Sequence, residues 1–430
     1  MGGFSLAHHG HQPTGTHEED SPEAWWESAR WYDEKILTAI AKSTSDKIVV
    51  NHITDLNEFK KDNFNFITLN LHNYAINDLP KHPLLNRLGE VLNKELINLI
   101  NTNVVKLIFD FSAEGTPRHS WFLLIHRMIN KYKIKSSNVY FISMDMKLGE
   151  NYDIWSEKLN LPKINIIGLN YFVEYATHWV LKKKKFPIED FKVDKIREKK
   201  FTCLNGAYRT NRIIIVSELF RNGLENDGYI SCIGNYDEPP RDIRNSAEVD
   251  KDLTFKDLIK YYMDSVYPKL PIVIDMEKDM ELIEPYIGHS YVHEMYTNSY
   301  FNIVTETSYN FDTAAIIGNS IFLTEKTYRA IFGMQPFIVV SNPGFLKFLK
   351  SIGFKTFPEF FDESYDEIEN PIERMNTIVN EIKKICSLSL EELHDRYYNI
   401  FDKLEHNRNR LIEIVENRKL NYGNYLDVFE

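Results

Sequence analysis

The chemistry this chain can offer sits in a few short polar segments. Asn205-Gly206-Ala207-Tyr208-Arg209-Thr210-Asn211-Arg212 runs off an apolar stretch into a helical pattern, with Arg209 just before the helix and Arg212 in its first turn. A helix start already carries positive partial charge, so cations there are unfavourable unless an anion meets them. With the backbone N–H groups of such a start, Asn205, Arg209 and Arg212 suit a pyrophosphate. The plainer alternative is that both arginines make surface ion pairs. Thr324-Glu325-Lys326 opens a second helical pattern, and Glu306 falls where an alternating run ends. A carboxylate such as Glu325 at the mouth of a sheet accepts hydrogen bonds from both ribose hydroxyls. Lys326 with the arginines neutralises a diphosphate leaving group, which removes the need for a catalytic metal. In a third segment, residues 110–119, Asp110, Glu114 and His119 are each able to take a proton. The alternative there is that Asp110 and Ser112 only cap a turn and the helix after it.

The elements that must position these groups alternate. Strands are expected at 47–51, 66–71, 104–111, 139–143 and 164–169, with helices at 84–99 and 121–132 between them. A second series follows: strand 201–204, helix 213–222 closed by Gly223, and strand 229–233. Strand 301–305 then leads to a helix with Tyr328, Ile331 and Phe332 on one face, stopped at Gly333. Strand 337–340 and a helix through Phe345 and Phe348, stopped at Gly353, complete the series. Strand–helix alternation is the grammar of an open parallel sheet, whose ligands lie beyond the carboxyl ends of its strands. The fold class is therefore α/β with two doubly wound, Rossmann-like domains. The expected division is a polar segment and amphipathic helix at 1–45, an acceptor domain at 46–180, and a linker at 181–200. A donor domain at 201–368 and C-terminal helices at 369–430 follow. The linker carries four lysines at 182–185, read as an exposed connection. Helical patterns at 372–386 and 390–420 close the chain.

Bulk composition narrows the partners. With 430 residues the chain is long enough for two cores, and 43% hydrophobic residues mark a globular protein. A formal net charge of −11 argues against nucleic acid as a whole-surface partner, because phosphate neutralisation dominates such binding. Three scattered cysteines, Cys203, Cys232 and Cys386, make neither a disulfide framework nor a zinc motif and read as buried thiols. No apolar run is long enough for a membrane span and no leader pattern opens the chain, so a cytoplasmic protein is expected, in the host cytoplasm if phage-encoded. His8, His9, His11 and His17 give the terminus a metal-binding alternative to a loosely packed tail.

At the donor residues the sequence also resembles a family. LTEKTYRAIFGMQPFIVV, preceded by TETS, resembles the donor-site signature of the α-1,3-fucosyltransferases, and FTCLNGAYRTNR is similar to their other donor element. The longer run through NPGFLKFLKSIGFKTFPEFFDESYDEI is similar to glycosyltransferase-like proteins of phages and bacteria. Thr307 stands where the fucosyltransferases carry Asn. The resemblance implies GT-B architecture and donor contacts at Arg212, Glu306, Glu325 and Lys326. The expected activity is metal-independent, inverting transfer of a sugar from a GDP- or UDP-sugar, with no further cofactor, to a glycan or a hydroxymethylated DNA base. A non-catalytic nucleotide or sugar binder is the alternative. A Rossmann oxidoreductase lacks its G-x-G-x-x-G.

Overall fold

A computed structural model describes residues 4–8, 50–53, 64–70, 92–111, 117–170, 172–206, 209–232, 253–272, 291–311 and 318–417. The chain divides into two compact units. The first is Met1–Tyr171 with Ala315–Ser320 and Asn417–Glu430, and the second is Phe172–Ala314 with Ile321–Glu416.

The first unit is built on β1 (Phe4–His8), β2 (Val50–Ile53), β3 (Phe64–Asn70), β4 (Val105–Phe111), β5 (Val139–Ser143) and β6 (Asn165–Gly168). They form one sheet in the order β2-β1-β3-β4-β5-β6, every pair parallel. Helices α1 (Lys94–Asn101), α2 (His119–Tyr132) and α3 (Leu148–Lys158) connect its later strands. In β4 every residue but Lys106 is buried. Burial on both faces is what helices covering a parallel sheet produce, and it explains the continuous apolar runs. The Phe122 ring of α2 packs at a tilt, 4.7 Å from Phe141 of β5 and 5.2 Å from Tyr152 of α3. Burying such a ring contributes about 1.5–3 kcal/mol. Inside this core the Tyr152 hydroxyl accepts from Ile164 N–H and shares a hydrogen bond with His126 Nε2 at 3.0 Å. Burial holds that imidazole below its ordinary pKa.

Two expectations for the first domain change. Phe4–His8 is not a loose terminal segment: it is β1, paired on both sides by β2 and β3. Five residues inside a polar, His-rich stretch carry too little pattern to announce a strand, and the ladders on either side supply what propensity does not. Helix 84–99 is seen from Lys94 to Asn101, where Asn93 caps it by accepting from Leu96 N–H at 2.8 Å. The amphipathic helix expected within 1–45 and most of the His-rich tract lie outside the described residues.

The second unit holds β7 (Lys199–Asn205), β8 (Gly228–Cys232), β9 (Ser299–Thr305) and β10 (Phe337–Val340) in the order β10-β9-β7-β8, all parallel. Its helices are α4 (Val173–Leu181), α5 (Thr210–Arg221), α6 (Leu253–Tyr261) and α7 (His293–Thr297). After them come α8 (Glu325–Phe332), α9 (Phe345–Ser351), α10 (Pro371–Cys386), α11 (Leu390–Asn399) and α12 (Phe401–Glu416). Thus α4 belongs to the second unit, where Trp179 packs 6.2 Å from Phe332. The stretch read as an exposed linker is anchored to that unit. Phe186, Phe191 and Arg197 are buried, and Arg197 donates to the carbonyls of Tyr296 and Ser299 with its guanidinium 3.9 Å from the Tyr397 ring. Lys183 pairs with Glu416.

The single helix expected over 390–420 is two. Ile400, at φ −112° and ψ 9°, breaks it between α11 and α12, a bend no proline or glycine signals. Gly333 ends α8 as expected, yet with φ −76°, and Met334 takes the left-handed turn at φ 48°. The need for glycine there is steric: a Cβ on Gly333 would lie 2.3 Å from the Tyr296 ring. All three cysteines are buried, and burial pushes the Cys203 and Cys386 thiols up to about 12. Among the described residues no helix is long and apolar enough to cross a membrane.

Candidate nucleotide-binding site at the second sheet

Strand order reverses at β7. From it the chain moves outward to β8 on one side, while β9 and then β10 lie on the other. In open parallel sheets the crevice at such a reversal, beyond the carboxyl ends, receives ligands. Those ends are Asn205 on β7 and Thr305 on β9, and Thr305 Oγ1 donates to Asn205 Oδ1 at 2.6 Å. Asn205 Nδ2 donates in turn to the Ser231 carbonyl of β8 at 3.1 Å. Asn205, with 1% of its surface exposed, spends its side chain joining three strands.

From β7 the chain enters α5. Arg209 occupies the N-cap position in extended conformation, exposed, and its side chain makes no capping bond. Arg212 lies in the first turn and is 4% exposed. Burial and the neighbouring Arg209 lower its pKa, while Glu306 and Glu325 act the other way. Asn211, between them, donates from Nδ2 to the Glu306 carbonyl at 3.0 Å and so ties the start of α5 to the end of β9.

Glu306 follows β9 and is fully buried. Its Oε1 accepts from Thr327 Oγ1 at 2.6 Å and Thr324 N–H at 3.2 Å. Its Oε2 accepts from Thr324 Oγ1 at 2.5 Å and Thr307 N–H at 3.4 Å. Four donors converge on its two oxygens. Glu306 thereby clamps the N-terminus of α8 to β9.

At α8 the Thr324 side chain caps the helix, accepting from Lys326 N–H at 3.4 Å. Lys326 Nζ donates to Glu325 Oε1 at 2.8 Å, Thr324 Oγ1 at 3.2 Å and Thr307 Oγ1 at 3.4 Å. Arg329, one turn on, places Nη2 3.7 Å from the same Glu325 oxygen. Burial alone would raise the Glu325 carboxyl, but Lys326 and Arg329 together hold it below its ordinary value. Arg209, Arg212, Lys326 and Arg329 thus set four cations against two carboxylates at the starts of α5 and α8, and both helix starts add positive potential.

The third helix start on this sheet, that of α9, is already filled. Asp366 accepts from Leu346 N–H at 3.0 Å and Lys347 N–H at 3.1 Å through its carboxylate, and its carbonyl accepts from Gly344 N–H.

Among the residues singled out from sequence, Arg209, Arg212, Glu306, Thr324, Glu325 and Lys326 come together here, with Asn205 beneath them as a strand tie. Asp110 and His119 belong to the first unit. Asp110 is the buried penultimate residue of β4, in register with Asn70 and Ile142, and His119 is the first residue of α2. Both engage neighbouring groups. Arg118 holds the N-cap of α2 and makes no side-chain capping bond. Glu114 lies outside the described residues. Asn211, Thr305, Thr327 and Arg329 were not anticipated. Only Arg329 left a readable signal, standing four residues after Glu325 on one helix face. Among the described residues no three His, Cys, Asp or Glu side chains gather as a metal site.

No protein-family model matches the chain, and no curated protein matches it. Among solved structures it is similar to a UDP-forming α,α-trehalose-phosphate synthase from Burkholderia xenovorans, at 11% identity over 93% of this chain and 78% of that one, TM-score 0.39. It is also similar to an α1,3-fucosyltransferase, at 11% identity over 96% of this chain and 90% of that one, TM-score 0.33. The same enzyme with GDP gives a TM-score of 0.31. Likeness of this degree carries no argument about activity.

Proposed function

We propose that this protein is a glycosyltransferase of GT-B architecture. It moves a sugar from a nucleotide-diphosphate sugar, GDP- or UDP-linked, to an acceptor hydroxyl without a catalytic metal. The observation that carries this reading is the cationic centre at the sheet reversal, where Arg209, Arg212 and Lys326 meet the starts of α5 and α8. The bond from the sugar's anomeric carbon to the diphosphate breaks, and its electrons leave with the diphosphate. The cations stabilise that charge. The acceptor oxygen forms the new bond and gives up its proton to Asp110, Glu114 or His119, an inverting displacement. Glu325 accepts the ribose hydroxyls. Glu306, with its oxygens filled, acts by holding α8 in place. A glycan hydroxyl is the preferred acceptor.

Calorimetric titration with GDP-, UDP- and CMP-sugars, followed by transfer assays on the donor that binds, tests the proposal. One sugar should bind, its affinity should drop in Lys326→Ala, and transfer should persist in EDTA. One of Asp110→Asn, Glu114→Gln and His119→Gln should abolish transfer while leaving binding intact. Binding without transfer to any glycan would identify a binder instead, and no binding to any of the three would overturn the reading.

A further inference from the structure

We propose that Glu325 is a specificity gate: its carboxylate fills the cationic centre until a ligand carrying both a diphosphate and a ribose displaces it. The inference rests on the nucleotide-sugar reading above and adds a selection rule to it.

An ammonium group has three donors and no acceptor. All three of Lys326's are engaged, by Glu325 Oε1, Thr324 Oγ1 and Thr307 Oγ1. The two hydroxyls are neutral, and the remaining acceptor is the built-in anion. Arg329 reaches that same carboxylate oxygen. Glu325 is 6% exposed, so its charge is screened little by solvent. A phosphate approaching Lys326 must therefore break a charge-assisted bond and bring negative charge against a buried carboxylate. Bare pyrophosphate gives Glu325 nothing in return. A nucleoside diphosphate supplies two ribose hydroxyls, donors that the displaced carboxylate can accept. Glu325 is the first residue of α8, whose position Glu306 fixes through Thr324 and Thr327. Turning its side chain away from Lys326 therefore requires no movement of the helix. The outcome is a site that discriminates against inorganic phosphates.

The test is calorimetry on the full chain and on Glu325→Gln, using inorganic pyrophosphate, GDP, UDP and the 2′,3′-dideoxy forms of both diphosphates. In the wild type the ribose form should bind at least about tenfold tighter than its dideoxy form, a difference of about 1.4 kcal/mol. In the variant pyrophosphate should bind about tenfold tighter than to wild type, and the dideoxy penalty should shrink, because a neutral amide oxygen accepts more weakly than a carboxylate. Glu325→Ala, read in the same way, covers a failure of the glutamine variant to fold. A dideoxy penalty undiminished in the variants, or pyrophosphate affinity that does not rise, overturns the gate. Absence of GDP and UDP binding in wild type alongside a pyrophosphate gain in the variant instead overturns the nucleotide reading.

Discussion

Helices α5 and α9 both follow strands of the second sheet from their carboxyl ends, and each begins with backbone N–H groups that have no partner within the helix. At α9 the chain supplies the anion itself: Asp366 takes the N–H groups of Leu346 and Lys347. At α5 the N-cap residue makes no side-chain capping bond, and the residues around the start are cations, Arg209 and Arg212. The α8 start lies between these cases, capped by Thr324 and backed by Glu306, with Lys326 paired to Glu325. One helix start is closed by a carboxylate, one pairs its carboxylate with a lysine, and one is lined by arginines. Helix starts with similar backbone potential therefore acquire different surroundings from the side chains that reach them.

The comparison can be broken most severely at Glu306. Replacing it with alanine leaves two threonine hydroxyls and two N–H groups without their acceptor in a buried place. A loss of about 3 kcal/mol in unfolding free energy is expected, read from urea denaturation. A loss below about 1 kcal/mol would remove Glu306 as the clamp of α8. The next contrast sets Arg212→Ala against Asp366→Ala. The first should weaken nucleoside-diphosphate binding by about tenfold or more, since a hydrogen bond to a charged group is worth about 1.5–3 kcal/mol. The second should leave binding unchanged and cost about 1 kcal/mol of stability, the usual value of a lost cap. Equal effects of the two on binding would mean that the starts of α5 and α9 do not differ in role.

The smallest effect is a dependence on pH. Burial raises the Asp366 carboxyl above its ordinary value, although the α9 amides oppose the shift. A raised folded-state pKa means that the folded protein binds the proton more tightly than the unfolded chain. The stability it adds is present below the ordinary aspartate pKa of about 3.9 and is lost as pH rises through the folded value. The stability difference between wild type and Asp366→Asn should therefore shift against wild type from about pH 4 to neutrality. Denaturation midpoints measured across that range check the sign, and a shift in the opposite direction would mean that the amides outweigh burial.

Much of the second sheet was legible in the sequence. The expected strands 201–204, 301–305 and 337–340 correspond to β7, β9 and β10 because doubly covered parallel strands are unbroken apolar runs. The starts of α5 and α8 were legible for a local reason: the polar-to-apolar change and the Thr-Glu-Lys cap lie within a few residues. β1 was not, because Phe4–His8 owes its conformation to β2 and β3, which are distant in sequence. Nor did the anchoring of the connection before β7 show, since Arg197 is buried against Tyr397 two hundred residues away.

By itself the sequence determined which groups stand at the carboxyl ends of the strands, because strand alternation and helix capping act over a few residues. It placed Asn205, Glu306, Glu325 and Lys326 together in kind, as polar residues at the ends of apolar elements. Only the tertiary structure decided which of them are spent. Asn205 is consumed between three strands and Glu306 by four donors, while Asp366, far along the chain, closes α9. Saturation of a hydrogen-bonding group depends on which distant donors and acceptors packing brings within about 3 Å. Propensity and spacing along the chain carry no record of that.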